Sequence, residues 1–334
     1  MLHPVNITYG TDPEGFFKRD GQIVGSERVL PTEGLVSRTH GKPFVVLDGV
    51  QFELNPAPST TPKGVGNNLS LAFNLLRSHL GNQPDISLCF DRIAEVSRAE
   101  LNALSEKARE LGCLPSMNIY GARPLKCNIK TYRKRSLGGH VHLGLRNTNI
   151  FSGNYDYRSR LVPLLDIFVG NWCVLLDRDP GAVERRENYG RAGEFRLPEH
   201  GLEYRTPDNF WLRNYTMLSF VFGMANLATS VLVHTLAGGS QETELVKTVD
   251  IDRVKKAIAK NDIRLAKRNI IDLQPWLVKN LPETGFPIRP GTIQKFIELG
   301  NHVERYGIES IFPDDPMTHW TKNDRTEFTT FLEA

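Results

Sequence analysis

Asp12 and Glu14 flank a single proline, His140 and His142 stand two apart, and so do Glu194 and Arg196, and Glu203 and Arg205. Side chains alternate across an extended strand, so each such pair projects from one side of a sheet. In residues 50–55 the same alternation sets Gln51, Glu53 and Asn55 on a polar face, against Val50, Phe52 and Leu54 on the other. A pair of this kind taken singly is what a solvated sheet face with surface ion pairs looks like. Gathered on one sheet, the carboxylates would repel one another and hold their protons unless cations intervened. Hard oxygen ligands with an occasional imidazole suit Mg²⁺ or Mn²⁺, and guanidinium forks suit a phosphate or a carboxylate substrate. That is an inventory for phosphoryl transfer. No Gly-rich loop ending in Lys-Ser/Thr accompanies it, which argues against the P-loop NTPases.

Positioning these groups calls for strands held by helices. Residues 44–47 and 50–55 are β-prone runs joined by Asp48-Gly49, a two-residue type I′ hairpin signal. Residues 69–80 have helical spacing, and Ser97-Arg98-Ala99-Glu100 is a capping box that opens a second helix ending at Gly112. Gly138-Gly139 bounds a strand over residues 140–145, and residues 161–176 read as a buried helix with Pro163 in its first turn. Short strands over 194–197 and 202–206 flank a turn at Glu199-His200-Gly201. The final third is helical, over 218–237, 252–271 and 292–306. The expected fold is α/β (α+β), a curved, mainly antiparallel sheet backed by helices. A boundary at Gly238-Gly239-Ser240 separates a catalytic part, residues 1–240, from a helical C-terminal extension, 241–334, packed on the same domain.

With 40% hydrophobic residues among 334, the chain can bury a sizeable core, as one large domain or two modest ones. Lys+Arg of 41 against Asp+Glu of 38 leaves +3, too little to imply a nucleic-acid partner from net charge. Cys89, Cys113, Cys127 and Cys173 lack the spacing of a zinc ribbon or a disulfide framework, so reduced thiols in a cytoplasmic protein are expected. Met1-Leu2-His3-Pro4 does not read as a secretion signal. The apolar run 218–237 has the length of a membrane span, but Asn226, Thr229, Ser230 and His234 interrupt it and favour a buried helix, with no membrane partner.

In order along the chain, the motifs resemble those of glutamine synthetase. Asp12-Pro13-Glu14-Gly15-Phe16-Phe17 is similar to its first metal-binding strand, Phe52-Glu53-Leu54-Asn55-Pro56 to the next metal carboxylate, and Gly138-Gly139-His140-Val141-His142 to its glycine-rich histidine strand. Arg191 and Arg196 resemble its paired arginines, and Glu203-Tyr204-Arg205-Thr206-Pro207-Asp208 its closing strand. Within that superfamily the sequence most resembles the phage-type carboxylate-amine ligases, the type-2 amidoligases. Tyr189-Gly190-Arg191-Ala192-Gly193 and Phe210-Trp211 add to the likeness, which runs from about residue 9 to residue 213.

The resemblance implies a glutamine synthetase-like catalytic fold and an ATP-dependent carboxylate-amine ligase working through an acyl phosphate. It implies ATP with Mg²⁺ or Mn²⁺ as cofactors, and Asp12, Glu14, Glu53, His140 and Glu203 as metal ligands, Glu53 counting also as catalytic. Arg191, Arg196 and Arg205 would stabilise the transferring phosphoryl group, and His142 would contact nucleotide or acyl phosphate. Arg133 and Arg135, in a basic run with Lys126, Lys130 and Lys134 that leads into the histidine strand, are expected to reach nucleotide phosphates. The partners implied are a small-molecule or peptide carboxylate and an amine, a nucleic-acid-linked substrate being one form they could take. Ser59, Thr60 and Thr61 stand where the synthetase has a further carboxylate, so one metal site is expected to be reduced, shifted or absent. Gly15 replaces a side chain and is expected to widen the pocket floor. Asp177, Asp179, Arg185 and Arg186 are read as caps and ion pairs, and Trp172 and Trp211 as core. Rival readings are a guanidino-type kinase on a related fold, a metal-dependent hydrolase, and a catalytically silent nucleotide-binding protein.

Overall fold

The computed structural model describes residues 7–109, 116–122, 133–145, 155–177, 179–280, 290–307, 310 and 315–321. Their strands make a mixed α/β structure with two large sheets. One runs Ile7–Gly10, Val141–Leu145, Gly201–Tyr204, Glu194–Arg196 and Met117–Asn118 in spatial order. The other runs Gln22–Val24, Glu14–Arg19, Gln51–Leu54, Lys42–Asp48 and Leu35–Ser37, with Ile86–Cys89 also paired to Glu14–Arg19. Lys134–Ser136 and Ile93–Glu95 form a small third sheet. Every ladder among the described residues is antiparallel.

The two large sheets meet where the chain leaves Ile7–Gly10 and enters Glu14–Arg19. Three hydrogen bonds fix this seam: Thr11 Oγ1 donates to His140 O (2.7 Å), Leu54 N to Pro13 O (2.9 Å), and Glu14 N to Gly138 O (3.0 Å). Alternation then does the rest. Ile7, Tyr9, Phe52, Leu54, Val141, Leu143, Leu202 and Tyr204 turn inward and pack in one cluster with the helices Pro62–Leu80, Tyr155–Leu176 and Tyr215–Leu236. Each fully buried Leu, Val or Phe contributes about 1.5–3 kcal/mol by leaving water. Leu245, Val254, Ile258, Ala266 and Ile270, from the helices after residue 240, belong to the same cluster. Tyr155–Leu176 and Tyr215–Leu236 are both long and apolar enough to cross a membrane, but 83% of each apolar window is buried inside the protein, as in core helices.

Several local expectations change. The hairpin turn is Gly49-Val50, because Asp48 pairs with Gln51. Of these two only Gly49 has positive φ (61°), the pattern of a II′ turn and not of I′. The helix opened at Ser97 covers only Arg98–Ala103, and a separate turn follows at Glu106–Arg109; Gly112 lies outside the described residues. Ser97 accepts from Glu100 N as a cap should, but the Glu100 carboxylate is taken by Gly25 N (2.8 Å) and Arg28 (2.6 Å), so the box is half made. The helix expected at 161 already starts at Tyr155, leaving Pro163 in its interior, and a π turn, Asp166–Gly170, interrupts it. The charged helix splits into Ile251–Lys260 and Ile263–Asn280: Asn261 adopts the left-handed region (φ 47°) and Asp262 caps the second helix through Arg264 N and Leu265 N.

Candidate active site

The glycine pair before the histidine strand is a matter of space. A Cβ on Gly138 would overlap the His140 ring, and one on Gly139 would overlap the Asp208 carbonyl. Two buried side chains hold this turn from behind. Trp211 Nε1 donates to Gly139 O (3.0 Å), so Trp211 does more than fill the core. Arg185, wholly buried, donates to the carbonyls of Leu137 (2.7 Å), Thr206 (3.1 Å) and Pro207 (3.0 Å). Arg186 likewise reaches Gly190 O (2.7 Å). The arginines read as ion-pair partners thus spend most of these donors on backbone carbonyls of turns, Arg186 Nε alone going to the Asn261 side chain. Asp177 and Asp179 do pair, with Arg92, which also meets Asp208 (3.2 Å).

Two groups of ionisable side chains gather at the seam. The first is Asp12, His140, His142 and Glu203, with one ligand atom from each lying within 4.8 Å of the others. His140 Nδ1 is 2.8 Å from Asp12 Oδ1 and 3.3 Å from Glu203 Oε1, while its Nε2 meets the Tyr189 hydroxyl. His142 Nε2 is 3.1 Å from Asp12 Oδ2, and its Nδ1 lies 3.0 Å from Nε2 of His200, whose ring stacks on it. Glu203 also receives two bonds from Arg196 (2.9 and 2.8 Å) and one from Arg205 (2.5 Å). Arg205 further donates to Tyr189 Oη (2.7 Å). Burial alone would raise Asp12, but the imidazoles of His140 and His142 hold it well below the usual carboxylate range. Burial likewise opposes ionisation of Glu203, yet His140 and Arg205 keep it low. Burial lowers His140, favouring the neutral ring that can donate a lone pair, whereas for His142 the pull of Asp12 overcomes burial and raises it.

The second group is Glu14, Asp48 and Glu53, again with ligand atoms within 4.8 Å. Glu14 and Glu53 face each other directly across their ladder, a like-charge pairing. Burial, with Asp48 and Asp12 close by, pushes Glu14 up to about 8, although Gly138 N donates to it at 2.6 Å. Burial and Asp12 raise Glu53 well above its ordinary value, and the same two causes raise Asp48. Gln51 Nε2 approaches Glu14 at 3.4 Å and Ser136 O at 3.1 Å. Three acids that resist ionising together, beside two imidazoles, form the donor set of a hard divalent cation. The chemistry of the residues fits the metal that the motifs imply.

Of the sequence-predicted residues, Asp12, Glu14, Glu53, His140, His142, Arg196, Glu203 and Arg205 come together. Arg191 sits at the edge, paired with Glu194 (2.7 Å). Arg133 and Arg135 do not join them. Arg133 pairs with Glu95 (2.8 Å) and donates to Val96 O, and Arg135, 2% exposed, donates to Lys134 O and Arg109 O. Arg135 lies in the small sheet and Arg133 just before it, and the partners named are on residues 95–96, 109 and 134, not on the seam. Lys126 and Lys130 lie outside the described residues. Gly15 opens no space either, since Phe52 and Phe90 press against it. Asp48, Tyr189 and His200 were missed. An Asp48-Gly49 turn would take Asp48 off the strand; with Gly49-Val50 as the turn, Asp48 stands opposite Gln51 at the end of the polar face. It brings a carboxylate to the group from the strand on the other side of Glu53, where Ser59, Thr60 and Thr61 offer none.

The comparisons with known proteins first give a class: residues 126–249 match a family model of carboxylate-amine ligases. More narrowly, that family is described as phage phiEco32-like COOH.NH2 ligase, type 2, and the matched stretch holds His140, His142, Arg191, Arg196, Glu203 and Arg205. The resemblance to the phage-type carboxylate-amine ligases is borne out there. A solved structure, the bifunctional glutathione synthetase from Pasteurella multocida, is similar at 13% identity and a TM-score of 0.48, over 95% of this chain and 48% of that one. This chain thus spans about half the length of that protein. No curated protein matches the sequence.

Proposed function

We propose that this chain is an ATP-dependent carbon–nitrogen ligase on a glutamine synthetase-like catalytic fold, joining a carboxylate to an amine through an acyl phosphate. The observation that carries the reading is the adjacency of the two acidic groups, Asp12/His140/His142/Glu203 and Glu14/Asp48/Glu53, with Arg196 and Arg205 at their border. The family description of the segment supports it. Mg²⁺ or Mn²⁺ held by these groups would neutralise phosphate oxygens and bind the nucleotide.

A carboxylate is a poor electrophile because its charge is delocalised and its leaving group would be oxide. In the proposed reaction a substrate carboxylate oxygen forms a bond to the γ-phosphorus of ATP as the bond to ADP breaks. The amine lone pair then attacks the acyl carbon, phosphate leaves with the C–O electron pair, and the new amide gives up a proton. Arg205, fully buried and fixed by Glu203 and Tyr189, presents a guanidinium that need not reorganise as charge develops. Arg196 offers the same fork from the neighbouring strand, and Arg191, paired with Glu194, a third guanidinium. The substrates are a small-molecule or peptide carboxylate and an amine, and a nucleic-acid-linked substrate falls in the same class. The free, buried Cys89 and Cys173 accord with work in the cytoplasm.

The test is isotope transfer. The acid is found by screening amino acids and short peptides with hydroxylamine as the amine. With that acid labelled by ¹⁸O in its carboxylate, hydroxamate should form in an amount equal to ADP, and label should appear in the released phosphate. AMP as product, or ADP with unlabelled phosphate, would refute the acyl-phosphate route. Phosphorylation of a guanidino group would establish the kinase reading, and turnover without ATP the hydrolase.

A further inference from the structure

The π turn Asp166–Gly170 lies behind the candidate site. Asp166 is a fully buried carboxylate on an apolar helix. Its Oδ1 accepts from the Tyr204 hydroxyl (2.6 Å) and from Gly193 N (3.2 Å), and its Oδ2 from the Tyr120 hydroxyl (2.8 Å). A π turn widens a helix locally and such turns often sit at functional sites. Here the widening has a visible use. At its far end Gly170 packs against the Tyr204 hydroxyl so closely that a Cβ would overlap it. The turn therefore supplies both the acceptor and the room for one phenol.

The partners of Asp166 are what give it reach. Tyr204 stands between Glu203 and Arg205 and points to the opposite face of the strand, pairing with Val141 and Phe195 across its two ladders. Gly193 lies between Arg191 and Glu194, in the turn that leads into the Arg196 strand. That turn is tied to the same strand again where Thr206 Oγ1 donates to Arg191 O (2.9 Å) and Arg205 N to Glu194 O (3.0 Å). One carboxylate thus fixes, from the rear, both backbone segments that carry Glu203, Arg205, Arg191 and Arg196. We infer that Asp166 is a positioning residue for the candidate site, acting through Tyr204 and Gly193 on the Glu203–Arg205 strand and the Arg191–Arg196 turn.

The groups around Asp166 agree. Burial pushes its carboxyl up to about 6, while the hydroxyls of Tyr204 and Tyr120, the Gly193 amide and the nearby Arg186 favour the anion. Lys255 lies over the Tyr120 ring, 4.7 Å from its centre, on the outer side of the network. A carboxylate buried in an apolar helix is tolerated only when donors satisfy it, and two of the three hydrogen-bond donors here, Tyr204 and Gly193, come from the segments that carry the site residues.

The inference rests on the metal-binding part of the proposed function, so its test reads metal affinity and not turnover. Mn²⁺ binding to the full chain is measured by electron paramagnetic resonance, with thermal midpoints beside it, for Tyr204→Phe, Gly170→Ala and Leu76→Ala. Leu76 is buried in the Pro62–Leu80 helix and serves as a destabilised control. Tyr204→Phe and Gly170→Ala should each weaken Mn²⁺ about tenfold, the effect expected when a support behind a metal ligand is removed. Leu76→Ala should lower the midpoint and leave the affinity alone. Unchanged affinity in both Tyr204→Phe and Gly170→Ala would overturn the positioning role while leaving the metal site standing, as would an equal weakening in Leu76→Ala. If the wild-type chain binds no Mn²⁺, the metal reading fails and takes this inference with it.

Discussion

The two acidic groups at the seam are neighbours with opposite electrostatics. Across the first sheet the signs alternate: His142 stands opposite Glu203, and Glu203 opposite Arg196. Across the second, Glu14 stands opposite Glu53, with Asp48 beside them and no cationic residue of their own sheet facing them in the described ladders. The first group is close to self-neutral, and its acids are held low; the second is not, and its acids are pushed high. A balanced group is preorganised and stays put when a charged substrate arrives, whereas an unbalanced one has a standing demand for cations from outside.

Breaking the balanced side should have the largest effect. Arg205→Ala removes a buried partner of Glu203 and the donor to Tyr189, and is expected to lower the chemical rate by about 10²–10³ and stability by about 3–5 kcal/mol. Single-turnover rates and denaturant midpoints would check both. Arg205→Lys should rescue poorly, since an ammonium cannot serve Glu203 and Tyr189 as a fork does.

A paired substitution sharpens the contrast. Glu203→Gln strips the anion from two guanidiniums and two imidazoles and should destabilise the metal-free chain by about 3–5 kcal/mol. Glu14→Gln relieves repulsion and should leave the metal-free chain as stable or more so, while weakening Mn²⁺. If calorimetry in chelator shows both changes with the same sign and size, the two groups do not differ as described.

The pH dependence separates them next. Glu14 is raised from 4.5 to about 8, so its contribution to stability is present below about pH 4.5 and is lost as pH rises through about 8; Asp48 and Glu53 act in the same direction. Asp12 and Glu203 are lowered, so theirs is present above the ordinary carboxylate range and is lost as pH falls. Metal-free protein should lose thermal stability toward alkaline pH, and saturating Mg²⁺ should abolish that loss. An alkaline decline that Mg²⁺ leaves untouched would point to other groups. The smallest effect belongs to Arg191→Ala: Glu194 is buried and loses this partner but keeps the Gly190 amide, so stability should fall by about 1–3 kcal/mol by unfolding midpoints.

How much of this the sequence disclosed depends on whether the signal was local. His140 with His142 and Glu203 with Arg205 are legible because a period of two survives any packing of the strand. The antiparallel character followed from short runs with turn residues between them. Asp48 was not legible, because moving a two-residue turn by one position carries a residue from the turn onto a strand face. Arg133 and Arg135 misled because a charge run has no direction until a strand gives it one. Arg185, Asp166 and His200 could not be reached at all: their partners lie 21–48, 27–46 and 58 residues away, and nothing in their neighbours marks those distances. The split at Asn261-Asp262 was readable in principle, since both are capping residues, but the helical periodicity on either side masked it.

On the proposed reading the unbalanced carboxylates Glu14, Asp48 and Glu53 take up a divalent cation beside the balanced group. The decisive measurement is a calorimetric titration of Mn²⁺ into chelator-stripped protein at about pH 6 and about pH 8.5, in buffers of different ionisation heat. Glu14, Asp48 and Glu53 should give up protons on binding, more at the lower pH, and Glu53→Gln should reduce the number released. Binding with the same proton count at both pH values, or no binding at either, would contradict it.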